Sequence, residues 1–263
     1  IGGGAFQDAV GFAASLVHRG VRLIRVPTTV LSQNDSGIGV KNGLNLRGAK
    51  NFLGTFAPPA AVFNDFSFLK TLEDRDWISG IAEAFKVAAI KDRELVAWLT
   101  ATAPALRRRD MSAMERLIHQ CAKLHVQHIA TSGDPFEHGS ARPLDFGHWA
   151  AHKLESLTLN ELRHGEAVAI GIALDLLYAA ACEYISRDEA RETIAAMNRA
   201  GLPGWDTTLE MTDPDGRPLV FHGIEEFREH LGGELHVTLP RPLGRKIEVQ
   251  SMDEDLLAEC LAE

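Results

Sequence analysis

The stretch that leaves this chain least freedom is Leu144 to Gly171, LDFGHWAAHKLESLTLNELRHGEAVAIG. It carries His148, His152 and His164. His148 and His152 stand four residues apart, so on a helix they share one face. That spacing suits two imidazoles on one metal ion. His164 opens a second apolar segment, HGEAVAIGIALDLLY, which reads as another helix. A short turn between the two brings His164 back towards His148. A lone histidine in such a place is ordinarily a satisfied core or surface residue. Three in this arrangement, with a carboxylate on an apolar helix upstream, point to a metal site.

That upstream helix is Ser79 to Ile90, SGIAEAFKVAAI, whose only charges are Glu83 and Lys86. They are three apart and roughly cofacial, which by itself describes a local ion pair. Ionised groups on a buried helix each cost roughly several kcal/mol unless paired or ligated. Glu83 is therefore the candidate carboxylate ligand and Lys86 a candidate anion contact.

At the start of the chain Gly2, Gly3 and Gly4 form a turn, and Asp8 to His18 has helical spacing. A glycine turn leading into a helix is a natural pyrophosphate cradle, because its N–H groups and dipole face an anion. Three glycines are more often only a turn, and no strand precedes these. IGGGAFQD, with no Met, reads as a chain lacking an N-terminal portion. Val21 to Val26 alternates as a strand closed by Pro27. The segment from Thr28 to Asp65 reads as a packed loop rich in Gly, Asn, Ser and Thr, with a short strand at Ala61 to Phe63. Lysines in loops are usually solvated. Lys41 and Lys50, with Asn51, sit here among glycines and asparagines that can close round a phosphate. Composition turns helical after Leu72, which gives expected domains of 1–72 and 73–263.

Further helices are expected at Glu94–Leu99, Met111–Ile129 and Ser186–Ala200, a loop at Ser132–Pro143, and a small hairpin from Glu234–Leu239 and Lys246–Val249. The net charge of -9 over 263 residues argues against nucleic acid and anionic membrane as partners. No apolar run reads as a membrane span. Three widely spaced cysteines, Cys121, Cys182 and Cys260, fit a reducing cytoplasm better than a disulfide framework.

The motifs taken together resemble the dehydroquinate synthase superfamily of sugar-phosphate cyclases. They are GGG-x-x-x-D (Gly2–Asp8), RG at Arg19, PTT-x-L-S-Q-x-D-S (Pro27–Ser36), K-x-G-x-N (Lys41–Asn45) and GxKN (Gly48–Asn51). LKTL (Leu69–Leu72), AE-x-x-K (Ala82–Lys86), FGH-x-x-x-H-x-x-E (Phe146–Glu155) and HGEAVAIG (His164–Gly171) complete the set. The resemblance implies a partial nucleotide-binding α/β domain, its leading strands missing, followed by a mostly helical metal-binding domain. It implies zinc or cobalt on Glu83, His148 and His164, with His152 on the substrate side. Spacing alone leaves His152 an equal candidate ligand. NAD is implied on Gly4, Asp8, Thr28, Thr29, Lys41, Lys50, Phe68, Lys70 and Thr71. Substrate phosphate is implied on Lys41, Asn51, Lys86, His152 and a neighbouring subunit's Arg19, hence a homodimer. Lys86, His152, Lys41 and Asp35 are the implied catalytic residues.

The implied reaction is redox-neutral: oxidation of a substrate hydroxyl, elimination of phosphate, return of the hydride, ring opening and an intramolecular aldol closure. Departures from dehydroquinate synthases proper sharpen this. His125 stands where they have a lysine, Arg142 is displaced by Pro143, Asp145 replaces an asparagine and Gln7 a glycine. The lysine and arginine hold a substrate carboxylate in that family, and a buried carboxylate needs cationic partners. The favoured substrate is thus a heptulose phosphate without a carboxylate, such as sedoheptulose 7-phosphate. The alternatives are 3-dehydroquinate synthase and a metal-dependent polyol dehydrogenase.

Overall fold

The computed structural model describes residues 1–46, 49–131, 144–230 and 233–263. Its contacts group into two compact units, Ile1–Gly80 with Met114–Arg142, and Ile81–Ala113 with Pro143–Glu263. The composition shift near residue 72 therefore falls inside the first unit, which also takes a segment from later in the chain.

In the first unit α1 (Gly4–Leu16) begins directly on the glycine turn, with Gly3 as N-cap. The strands β1 (Ile24–Arg25), β2 (Lys41–Leu46), β3 (Ala49–Phe56) and β4 (Ala61–Val62) follow. β1 pairs parallel with β4, and β2 antiparallel with β3. Only two residues of the alternating VRLIRV run enter a ladder. Its continuation supports the glycine turn instead: the Gly2 N–H donates to Val26 O and the Thr28 N–H to Gly2 O, each at 3.1 Å.

The β2–β3 hairpin corrects the reading of this segment as loop. Its cause is tertiary. Arg25 is 2% exposed and donates to the carbonyls of Gly37 (3.1 Å) and Gly39 (2.8 Å) and to Asn42 Oδ1 (2.5 Å). On the other side Gly11 of α1 comes so close that a Cβ there would lie 1.9 Å from Asn42 Oδ1. Between β1 and β2 the backbone makes a π-type turn, Ser32–Ser36, stapled by Thr29 Oγ1 and Ser32 Oγ at 2.7 Å. A 3₁₀ turn, Phe66–Thr71, and α2 (Asp74–Ser79) close the segment.

The second unit opens with α3 (Ile81–Lys91), buried along its whole length from Ile81 to Ile90. After it come α4 (Arg93–Arg107), α5 (Met111–Thr131), α6 (His148–Leu157), α7 (His164–Ala181), α8 (Arg187–Ala200), α9 (His222–His230) and α10 (Glu254–Ala262). From Met114 onwards α5 belongs to the first unit. β5 (Val237–Pro240) and β6 (Lys246–Val249) form the expected hairpin. α7 is the central element and packs on α3, α6, α8 and α10. By length and composition it is apolar enough to cross a bilayer, contrary to the reading above, but 78% of it is buried inside the protein. Its apolarity is that of a core helix surrounded on all sides.

Candidate metal centre and nucleotide cradle

Three helices of the second unit converge at their starts. Glu83 lies in the first turn of α3, His148 opens α6 and His164 opens α7. One ligand atom from each lies within 4.8 Å of the other two. Donors on one tetrahedral zinc stand about 3.4 Å apart. His164 Nε2 and Glu83 Oε1 are already 3.5 Å apart. Two imidazole nitrogens and a carboxylate oxygen are a donor set suited to zinc or cobalt.

Each ligand is held from behind. His148 Nδ1 donates to the Phe146 carbonyl at 3.2 Å, which leaves Nε2 as the free donor atom. His164 Nδ1 is 3.3 Å from Glu155 Oε1. Glu83 is ion-paired with Lys86 at 2.5 Å, with both side chains nearly inaccessible. Burial lowers the pKa of His148, and the Lys86 ammonium lowers it further. Burial also opposes charge on His164, but hydrogen bonds to Glu155 and Glu83 outweigh it and lift the pKa to about 9. Metal ligation takes the neutral ring, so His164 would give up this proton on holding a cation.

His152 stands outside the converging three. Its ring stacks on His164 with centroids 6.4 Å apart and meets His148 edge-on at 5.6 Å. The four-residue spacing thus gives two rings on one face, and the turn between helices brings the other partner. In the sequence Glu155 stands only as the end of a motif. It lies seven residues after His148, on the same helical face, and that spacing was the available signal.

The helix starts are fixed by close backbone contact. Gly147, with φ 79°, caps α6, and a Cβ on Gly171 of α7 would fall 2.0 Å from the Gly147 carbonyl oxygen. Asp145 accepts the His148 N–H through its carbonyl at 2.8 Å, and its negative charge acts on the His148 ring.

In the first unit the start of α1 has the features of an anion cradle. Gly3 offers no side-chain cap, and first-turn N–H groups have no acceptor within a helix. Ser36 Oγ is buried without a hydrogen-bond partner among the described residues, and a Cβ on Gly4 would lie 2.7 Å from it. Gln7 is 4% exposed, and both polar atoms of its amide likewise lack partners among the described residues. Asp8 is pushed up to about 6 by burial, which Arg25 opposes. These orphaned groups beside an uncapped helix fit a dinucleotide's phosphates.

The other named residues are spread around this unit. Thr28 holds Gly2 through its backbone, and the Thr29 hydroxyl is engaged with Ser32. Phe68, Lys70 and Thr71 lie on the 3₁₀ turn, and Lys41 begins β2 at the surface. Arg19 is exposed at φ 66° just after α1. Asp35 pairs with the buried His125 of α5, Oδ1 to Nδ1 at 3.0 Å. Arg142 and the side chains of Lys50 and Asn51 lie outside the described residues.

An α/β unit beginning on a glycine turn, with a helical unit carrying a Glu–His–His group, is the class these elements define. Residues 1–79 match the 3-dehydroquinate synthase N-terminal family and residues 80–215 the 3-dehydroquinate synthase C-terminal family. Among solved structures, the chain is similar to ValA, the 2-epi-5-epi-valiolone synthase from Streptomyces hygroscopicus subsp. jinggangensis, solved with NAD+ and Zn2+ bound. The identity is 31% and the TM-score 0.89, over 99% of this chain and 71% of that one. The chain belongs to the dehydroquinate synthase superfamily. Two further structures share the fold. A 2-deoxy-scyllo-inosose synthase complexed with carbaglucose-6-phosphate, NAD+ and Co2+ matches at 23% identity and TM-score 0.82, over 99% of this chain and 71% of that one. Glycerol dehydrogenase from Schizosaccharomyces pombe matches at 15% and 0.64, over 100% of this chain and 67% of that one.

Proposed function

We propose that this protein is an NAD- and divalent-metal-dependent sugar-phosphate cyclase, a phosphate-eliminating lyase whose substrate is a heptulose phosphate without a carboxylate, of the sedoheptulose 7-phosphate type. The observation that carries the reading is the convergence of Glu83, His148 and His164 beside the buried Lys86. Glu83, His148 and His164 would hold zinc or cobalt, and the start of α1 with Asp8 and the 3₁₀ turn would hold NAD. When bound, NAD+ would accept a hydride from the substrate and later return it, and the metal would polarise the substrate oxygen. The valiolone synthase similarity supports this assignment.

The chain's own residues have separable tasks. Glu155 keeps a carboxylate on His164 Nδ1 and so fixes the ring's orientation. Lys86, buried at 3% exposure, would offer its ammonium to the leaving phosphate. His152 stands on the same helical face as His148 and is the group positioned to receive or return a proton at its ring nitrogen. By resemblance Lys41, Lys50 and Asn51 are expected phosphate contacts, with Arg19 expected from the second subunit of a homodimer. The free cysteines support a cytoplasmic setting.

Substrate preference follows from charge. His125 stands where a lysine would be, and the Asp35 carboxylate already lies against it, Oδ1 to Nδ1 at 3.0 Å. Asp145 adds a negative charge beside His148. A carboxylated sugar would meet a like charge and lack its partner. The competing reading, 3-dehydroquinate synthase, draws on the names of the matching families. Phosphate release with sedoheptulose 7-phosphate and with the carboxylated heptulosonate phosphate, measured side by side, separates the two. The expected kcat/KM is at least about 100-fold higher for the uncarboxylated sugar, corresponding to about 2.7 kcal/mol. A higher value for the carboxylated sugar overturns this reading.

A further inference from the structure

Asp175 is the sole charged residue in the buried interior of α7 between Ala167 and Ala180, and it is 0% exposed. Its two oxygens face two donors from the beginning of α6. Oδ2 accepts the Gly147 N–H at 2.9 Å and Oδ1 accepts the Trp149 indole N–H at 2.8 Å. Those donors flank His148 in the sequence. The carboxylate therefore grips the turn on both sides of that residue. The turn's carbonyl, on Phe146, is the group that accepts from His148 Nδ1. A buried carboxylate is costly, and burial is reflected in its pKa, raised to about 7. Nothing about the packing of an apolar helix requires one here. The close Gly147–Gly171 contact already sets the helix separation.

We propose that Asp175, through Gly147 and Trp149, is a positioning residue for the metal centre: it fixes the rotation of the α6 start and hence the direction of His148 Nε2. This inference rests on the metal reading above. Only a carboxylate suits the place. Asparagine offers one acceptor oxygen and an NH₂ group, so one of the two N–H donors would face another donor.

The test is titration of metal-free protein with Co2+, read from the d–d absorption that reports ligand geometry, for wild type, D175N, W149F and Y178F. Tyr178, three residues further along α7, accepts the Asp253 N–H at 2.8 Å, so Y178F reports loss of a part-buried hydrogen bond that does not involve α6. Urea midpoints of the metal-free proteins give the stability cost of each change. D175N is expected to bind Co2+ about tenfold more weakly or worse, with an altered d–d band. W149F, which leaves the Gly147 contact, is expected to bind about threefold more weakly, by the same reasoning at half the grip. Y178F is expected to keep wild-type affinity and spectrum despite a lower midpoint. Wild-type affinity and spectrum in D175N and W149F overturn the positioning role while leaving the metal reading intact. If D175N does not fold, W149F alone decides. Absence of any d–d spectrum in wild type removes the metal reading and this inference with it.

Discussion

His164 Nδ1 stands 3.3 Å from Glu155 Oε1, a carboxylate from α6 set behind a histidine of α7. Outer carboxylates of this kind fix the tautomer of a ligating histidine and raise its basicity. E155Q keeps the shape and loses the charge. It is expected to weaken zinc affinity by about 10–100-fold, measured by competition with a chromophoric chelator. An unchanged zinc affinity would show that the contact is only packing.

Metal loading should stabilise the fold, because the three ligands come from separate helices that the ion ties together. At a free metal concentration of about 100 Kd the gain is about 2.7 kcal/mol, or about 5–10 °C in Tm for a domain of this size. E83Q should lose most of that metal-dependent shift. Thermal melts with zinc and with chelator, on both proteins, check this. Equal shifts in wild type and E83Q would remove Glu83 from the ligand set.

At the start of α1 a Cβ on Gly4 would lie 2.7 Å from Ser36 Oγ, so a side chain there requires Ser36 to move. G4A should force Ser36 aside and weaken NAD binding about tenfold, equivalent to about 1.4 kcal/mol. Calorimetric titration of NAD into both proteins measures it. Equal affinities would place the cofactor elsewhere.

Asp8 gives a pH signature. It keeps its proton up to about pH 6 in the fold, against 3.8 for the ordinary group, chiefly through burial. Between those values the folded chain binds more protons than the unfolded chain. The stability that Asp8 contributes is therefore present at low pH and is lost as pH rises towards about 6. D8N lacks this dependence. The urea midpoint of wild type relative to D8N should fall from pH 4 to pH 6 and level off above. A flat difference would show that Asp8 titrates normally.

Where a residue's place depends on local pattern, the chain could be read directly. The paired histidine helices, α3 with its two charges, and the β5–β6 hairpin all follow from periodicity. Glu83 and Lys86 were exposed as unusual by the apolarity around them. The β2–β3 hairpin was hidden because its stability comes from Arg25 and from Gly11 lying against Asn42, contacts across separate segments. Glu155 was visible as a spacing but not as a partner, because the turn that carries His164 back to it has no periodic signature. Asp175 carried the same signal as Glu83, a carboxylate on an apolar helix. Its donors, however, lie 28 and 26 residues away. Asp35 and His125 meet only because α5 returns to the first unit.

The main-chain contact between Gly147 and Gly171 has a consequence for redesign. Where two helices touch through side chains, any exchange in the core shifts their spacing. Here the spacing at the crossing is set by backbone atoms that no substitution elsewhere can resize. The helical unit is thereby divided into a fixed chassis and an interchangeable lining. On the proposed function, Asp145 is the residue to vary for sugar preference while His148 and His164 keep their span. A library built on this scaffold should therefore leave both glycines untouched and spend its diversity on the residues facing the substrate.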